Sequence, residues 1–137
     1  MVKEICKDVF VLSQNCTDAD KNDMQVVKDL TDTITAHADD CVGIAANMIG
    51  ITKRIIVVQL GKEYVAMINP VIVDKSKQVY NASEGCLCHM GEREAKRYSS
   101  ITVEYKDKKF KKKKQSFSGF PAQIIQHEID HCNGIIV

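Results

Sequence analysis

The sequence predicts an α+β fold: antiparallel or mixed β-sheets around a C-terminal H-E-x-x-H helix, with an amphipathic helix on the N-terminal side. Three observations carry this. Met24, Val27, Leu30 and Ile34 recur at three- and four-residue spacing, the period of one helix face. The middle of the chain is rich in β-branched residues, as in "RIIVVQL" and "KEYVAMINP". Near the end, Ala122, Ile125, Ile129 and Cys132 return to helical spacing. Strands grouped between helices, rather than alternating with them, argue against a βαβ repeat. With 137 residues the chain can bury one core, and residues 1–137 are expected to form a single domain.

The first helix is expected over about residues 20–38, with acids near its start to complement the helix dipole. Gly43 and Gly50 bracket "GIAANMIG" like a turn or a close backbone approach. Residues 54–60 and 62–70 read as strands joined by a tight turn at Gly61. "PVIVDKSKQVY" reads as a further pair of short strands beginning at Pro70. Ile101, Val103 and Tyr105 alternate with polar residues, the pattern of a half-buried strand. The lysine-rich stretch 106–114 reads as a solvated hairpin whose charges protect a sheet edge. For the last helix Ser118 is the expected cap, Pro121 fits the first turn, and Gly134 lies just past the end.

Composition narrows the function. Residues are 45% hydrophobic and 27% charged with a net charge of +1, so no global field directs the chain to DNA or to a membrane surface. "MVKEICKDVF" mixes charges with apolar residues and reads as neither signal peptide nor membrane span. A cytoplasmic location is therefore expected, with the six cysteines reduced.

The chemistry concentrates in "QHEIDHCNGIIV". His127 and His131, four apart, share one helix face and can both point an imidazole at one metal ion. Glu128, about 100° around the helix from His127, is placed to exchange a proton with water at that ion. Two histidines leave the ligand set incomplete. The extended zinc-protease pattern H-E-x-x-H-x-x-G-x-x-H keeps its glycine at Gly134, but its last position is Val137. A third ligand is therefore expected upstream or from another subunit. Cys86, Cys88 and His89 in "EGCLCHM" are the candidates, and spacing alone does not choose among them.

Three stretches, "VGIAANMIG", "EGCLCHMGEREAKR" and "QHEIDHCNG", resemble in order the three motifs of the peptide deformylases: G-x-G-Φ-A-A-x-Q, with Φ apolar, then E-G-C-L-S and Q-H-E-x-D-H-x-x-G. The resemblance runs over about residues 40–134, with 43 positions from Gly43 to Cys86 and 41 from Cys86 to His127. It implies a hydrolase that removes the N-formyl group from the initiator methionine of new polypeptides. It also implies Cys86, His127 and His131 as ligands to one divalent ion, iron(II) by resemblance, with zinc, nickel or cobalt forms. Glu128 becomes the acid/base and the Leu87 N–H an oxyanion donor. Substrate contacts are implied at Gly43, Ile44, Met48, Gly85 and Arg93, with Arg97 able to pair with Glu84. N-formyl-methionyl peptides are the implied substrates, and the ribosome is a further implied partner, for which the lysine hairpin offers a surface. Two positions depart from the pattern. Met48 stands in place of the family's glutamine, which donates to the oxyanion, and Cys88 stands in place of its serine. Neighbouring Asn47 is the side chain available to replace the lost donor.

Overall fold

A computed structural model describes residues Met1–Val137. A short helix α1 (Val9–Leu12), capped by the Asp8 carboxylate, precedes helix α2 (Met24–Ala36). Strand β1 (Gly43–Ala45) follows, then a 3₁₀ turn (Ala46–Ile49), then β2 (Ile55–Leu60) and β3 (Glu63–Lys75). Strands β4 (Val79–Gly85), β5 (Glu92–Tyr98), β6 (Ser100–Lys106) and β7 (Lys112–Ser118) complete the β region, and helix α3 (Phe120–Cys132) ends it. All strand pairs are antiparallel. Five strands form one sheet in the order β1-β2-β3-β6-β7, while β4 and β5 form a separate two-stranded ribbon.

The expected α+β class is what forms, and the helical and strand periods explain why. In α2, Val27, Leu30 and Ile34 face the core. The helix starts four residues later than expected because residues 21–23 form a 3₁₀ turn: the Asp20 carboxylate accepts from the Asn22 N–H, and Asp23 reaches back to the Asp20 N–H. In β2, Ile55 to Val58 are all fully buried, so both faces are covered, and both α2 and α3 pack against the strand. Leu60 pairs with Glu63 across a two-residue turn at Gly61, whose φ is 65°. Ile101, Val103 and Tyr105 alternate inward as expected, and β7 is a sheet edge with Lys112, Lys113 and Lys114 exposed.

Two expectations are corrected. Pro70 does not end a strand: β3 runs through it to Lys75, with the register against β6 shifting between Ile68 and Val71. A proline has no N–H for the ladder, and this irregularity accommodates it. Asn69 takes a positive φ of 53° there, held by side-chain hydrogen bonds to the Ala19 N–H and carbonyl. Ser118 does not cap α3. It ends β7, and Gly119 with φ 67° turns the chain directly into the helix with no side-chain cap. Pro121 does fall in the first turn. At the other end, the Gly134 N–H donates to the His131 carbonyl and the Ile135 N–H to that of Asp130, closing the helix at a left-handed glycine of φ 75°.

Helix α3 packs against β1, β2 and β7 of the large sheet and also against β5 of the ribbon. Nearly every α3 residue from Ala122 to Cys132 is therefore buried, its histidines included. No helix is long and apolar enough to cross a membrane. All six cysteines are free thiols.

Candidate metal centre and cleft

Burial on all sides forces the polar residues of α3 to find partners within the protein. His127 is 7% exposed and His131 fully buried. Their Nε2 atoms face each other at 3.2 Å, as one helical turn dictates. Cys86, in the turn after β4, places its Sγ 3.4 Å from His131 Nε2. Donor atoms sharing a tetrahedral ion at ordinary zinc bond lengths lie roughly 3.3–3.8 Å apart, so these groups have the spacing of a ligand set. Histidine, glutamate and histidine of α3 form one cluster able to hold an ion, and Cys86, Cys88 and His131 form an overlapping one.

The chain orients His127 from behind. Its Nδ1 is 2.8 Å from Glu84 Oε1 on β4. Glu84 in turn receives two hydrogen bonds from Arg97 of β5, Nε at 2.9 Å and Nη2 at 2.6 Å, and Arg97 Nη1 reaches Asp130 at 2.6 Å. A carboxylate behind a histidine fixes the ring and leaves Nε2 as the forward-facing nitrogen. Burial disfavours the Glu84 charge, but Arg97 and then His127 outweigh it and hold the carboxyl at about 2. For His127, burial opposes the charge, yet hydrogen bonds with Cys86 and Glu84 raise its pKa to about 10. The Cys86 thiol is pushed up to about 11 by its contact with Cys88 and by burial. An ion binding here displaces protons from these donors.

Glu128 completes the cluster. It is 3% exposed, and its Oε1 has no hydrogen-bond partner. Burial pushes its carboxyl up to about 7, with His127 pulling the other way. An orphaned carboxylate oxygen beside two imidazoles and a thiol fits a site built around an ion and a water. Gly43 makes room for it: a Cβ there would lie 2.7 Å from Glu128 Oε2 and 2.8 Å from Ile124 Cγ2.

These groups face a cleft of about 500 Å³. Gly43, Met48, Gly85, Cys86, Leu87, His127 and Glu128 line it. His131 lies behind the lining, and so does Ile44, whose side chain is fully buried. Arg93 stands outside the cleft, exposed, with Nη1 3.4 Å from the Ile136 carbonyl. Met48 is fully buried, and its Sδ accepts from the Ala45 N–H at 3.4 Å. Asn47 is no replacement donor: its amide nitrogen is engaged by the His131 carbonyl at 2.8 Å. The Leu87 N–H takes part in no backbone hydrogen bond. The lining residues Phe120, Gln123 and Ile124 were not singled out from the sequence. Their three- and four-residue spacing with His127 was the available signal, since it places them on the same helix face.

An α+β fold with a buried H-E-x-x-H helix and a cysteine beside it at a cleft defines a class, the metal-dependent hydrolases of the H-E-x-x-H type. Within that class, the model of the polypeptide deformylase family matches residues 2–137. A peptide deformylase from Clostridium beijerinckii is 54% identical over 137 residues, the full length of both chains. One from Pseudothermotoga lettingae is 36% identical, covering 90% of this chain and 71% of its own length. Among solved structures, an actinonin-bound class I type b peptide deformylase from Acinetobacter baumannii superposes with a TM-score of 0.89 at 30% identity, covering 99% of this chain and 95% of that one. The Thermotoga maritima enzyme does so with a TM-score of 0.90 at 29% identity, covering 99% and 95%. The chain belongs to the polypeptide deformylase family, metal-dependent enzymes that remove the N-formyl group from nascent chains.

Proposed function

We propose that this chain deformylates N-formyl-methionyl peptides in the cytoplasm as one domain over residues 1–137, with Glu128 as its acid/base and Cys86, His127 and His131 as the ligands of one divalent ion. The observation that carries the reading is the convergence of these three donors beside the partnerless Glu128 Oε1 at the floor of a cleft. The bound ion supplies the polarisation that makes water nucleophilic near neutral pH. Iron(II) is the ion we assign, on the family resemblance, with zinc, nickel and cobalt as substitutes.

Glu128 takes a proton from the attacking water, whose oxygen bonds to the formyl carbon. It then passes that proton to the departing amine as the C–N bond breaks, releasing formate and a free N-terminus. Glu128, buried and with one oxygen free of hydrogen-bond partners, is placed to accept that proton and return it. Developing negative charge on the formyl oxygen is met by the Leu87 N–H. The peptide lies along β1, the unpaired edge of the large sheet, where the Gly43 and Ile44 backbone is available for strand pairing. Gly85 keeps the opposite wall low, Met48 contributes packing, and Arg93 meets the peptide farther out. A Met-Ala-Ser-bound deformylase from Acinetobacter baumannii, similar in fold with a TM-score of 0.89, supports a peptide in this groove.

The test is hydrolysis of formyl-Met-Ala-Ser by protein purified anaerobically with its metal measured. Glu128→Ala is expected to retain the ion and lose activity by at least about 10³-fold. Full activity in that variant removes Glu128 from the chemistry, and full metal occupancy in Cys86→Ser removes Cys86 from the ligand set. A ribosome contact falls to the hairpin around residues 106–114, where six lysines are exposed at positions 108, 109 and 111–114. Cosedimentation with ribosomes that weakens as salt rises supports it. Absence at all salt concentrations assigns these lysines to edge protection alone.

A further inference from the structure

Cys88 has no part in the reaction described above, yet it sits against the reacting centre. Its Sγ lies 3.2 Å from Cys86 Sγ, closer than ordinary contact between sulfurs, and it is 3% exposed. Both residues belong to the turn between β4 and β5 rather than to either strand, so no ladder hydrogen bonds hold them apart. Their access to solvent differs. Cys86 is half-buried and lines the cleft, whereas Cys88 lies behind it and does not. A small oxidant entering the cleft meets Cys86 first, and the sulfur nearest to the oxidised product is that of Cys88.

We propose that Cys88 is a resolving thiol: peroxide oxidation of Cys86 is captured as a reversible Cys86–Cys88 disulfide, which blocks the enzyme without destroying it. In the first step the Cys86 sulfur attacks one peroxide oxygen, the O–O bond breaks, and the second oxygen leaves as water with the thiol proton, giving a sulfenic acid. In the second, Cys88 sulfur attacks Cys86 sulfur, the S–O bond breaks, and the hydroxyl leaves as water with the Cys88 proton. Two thiols are oxidised by one electron each, and one peroxide is reduced by two. A bridge spanning a single residue is of the strained, easily reduced kind. Without it, Cys86 continues to the irreversible sulfinic and sulfonic acids. The bridge itself requires only the two thiols; its effect on the enzyme rests on the reading of Cys86 as a ligand.

The experiment uses zinc-loaded enzyme, because zinc has no redox chemistry of its own, treated with hydrogen peroxide in several-fold excess, since the sulfinic and sulfonic acids consume two and three equivalents per thiol. Expected are a mass loss of two hydrogens mapped to the peptide holding Cys86 and Cys88, zinc release in step with it, and recovery of both thiols and activity on adding dithiothreitol and zinc. Cys88→Ser is expected to gain two or three oxygens on Cys86 and to fail to recover its starting activity. Wild-type protein that gains two or three oxygens on Cys86 with no bridge, or that instead bridges Cys16 and Cys132, whose backbones are joined by a 2.9 Å hydrogen bond, overturns the proposal, and this mapping needs no variant to fold. A mapped bridge that forms without zinc release supports the resolving role and removes Cys86 from the ligand set.

Discussion

Met48 carries the main chemical difference between this chain and the pattern of its family. A thioether accepts weakly and donates nothing, and here its sulfur receives the Ala45 N–H. Glutamine at the same place keeps that acceptor role through its carbonyl oxygen and adds an amide N–H₂ toward the cleft. Met48→Gln is therefore expected to raise kcat about 10-fold to 10²-fold with little change in KM, because an oxyanion donor acts mainly in the transition state. Steady-state kinetics on formyl-Met-Ala-Ser checks it, and an unchanged kcat means the side chain does not reach the formyl oxygen. Gly43 is the second position where one atom matters. Its missing Cβ is the space that Glu128 Oε2 occupies, so Gly43→Ala pushes the carboxylate aside. A loss of about 10²-fold in kcat with unchanged metal content is expected. Equal loss of metal would instead mean that the whole end of α3 had moved.

At the scale of elements, α3 shows what a local pattern can and cannot predict. Its stripe, its Pro121 and its terminal glycine are all local features, and each is found where the sequence places it. Gly134 has a tertiary reason as well: beyond its φ of 75°, a Cβ there would meet the Ser13 carbonyl oxygen at 2.5 Å. Gly134→Ala is expected to destabilise the fold by at least about 2 kcal/mol, from left-handed strain and from that clash together. Urea unfolding monitored by circular dichroism measures this, and an unchanged midpoint would mean that the segment around Ser13 yields freely. Pro70 is the contrary case. Read locally, it starts a new strand; the long-range pairing of β3 with β6 and the Asn69 bonds to Ala19 carry the strand past it. Neither partner is near Pro70 in sequence.

For the molecule as a whole, the Arg97–Glu84–His127 chain ties the ribbon to α3 and thereby to the large sheet. Glu84 has an ordinary value of 4.5 and is held at about 2 in the fold. Between those values the unfolded chain binds the proton that the folded chain refuses. The stabilisation is thus fully present above about 4.5 and is lost as pH falls toward 2. Thermal unfolding should show this acid limb, and Glu84→Gln should flatten it while lowering stability at neutral pH, because Arg97 then stays buried without its full countercharge. An acid limb of the same slope in Glu84→Gln would assign it to other carboxylates.

By itself the sequence determined the α+β class, the two long helices and the buried strand runs, because these rest on short-range periodicity, and the paired histidines of H-E-x-x-H, because these rest on which atoms can hold a metal; the order of the three motifs and the choice of Cys86 came from the resemblance to the deformylases. It also named Arg97 as a partner for Glu84. Only the tertiary structure decided that Cys86 Sγ comes within 3.4 Å of His131 Nε2, that Asn47 turns its amide to the His131 carbonyl, and that Glu128 and Gly43 share one space. It likewise sent β3 through Pro70 and put Cys88 against Cys86. Each of these depends on where separate segments meet or how a turn folds back, and spacing along the chain carries no record of the direction in which a side chain finally points.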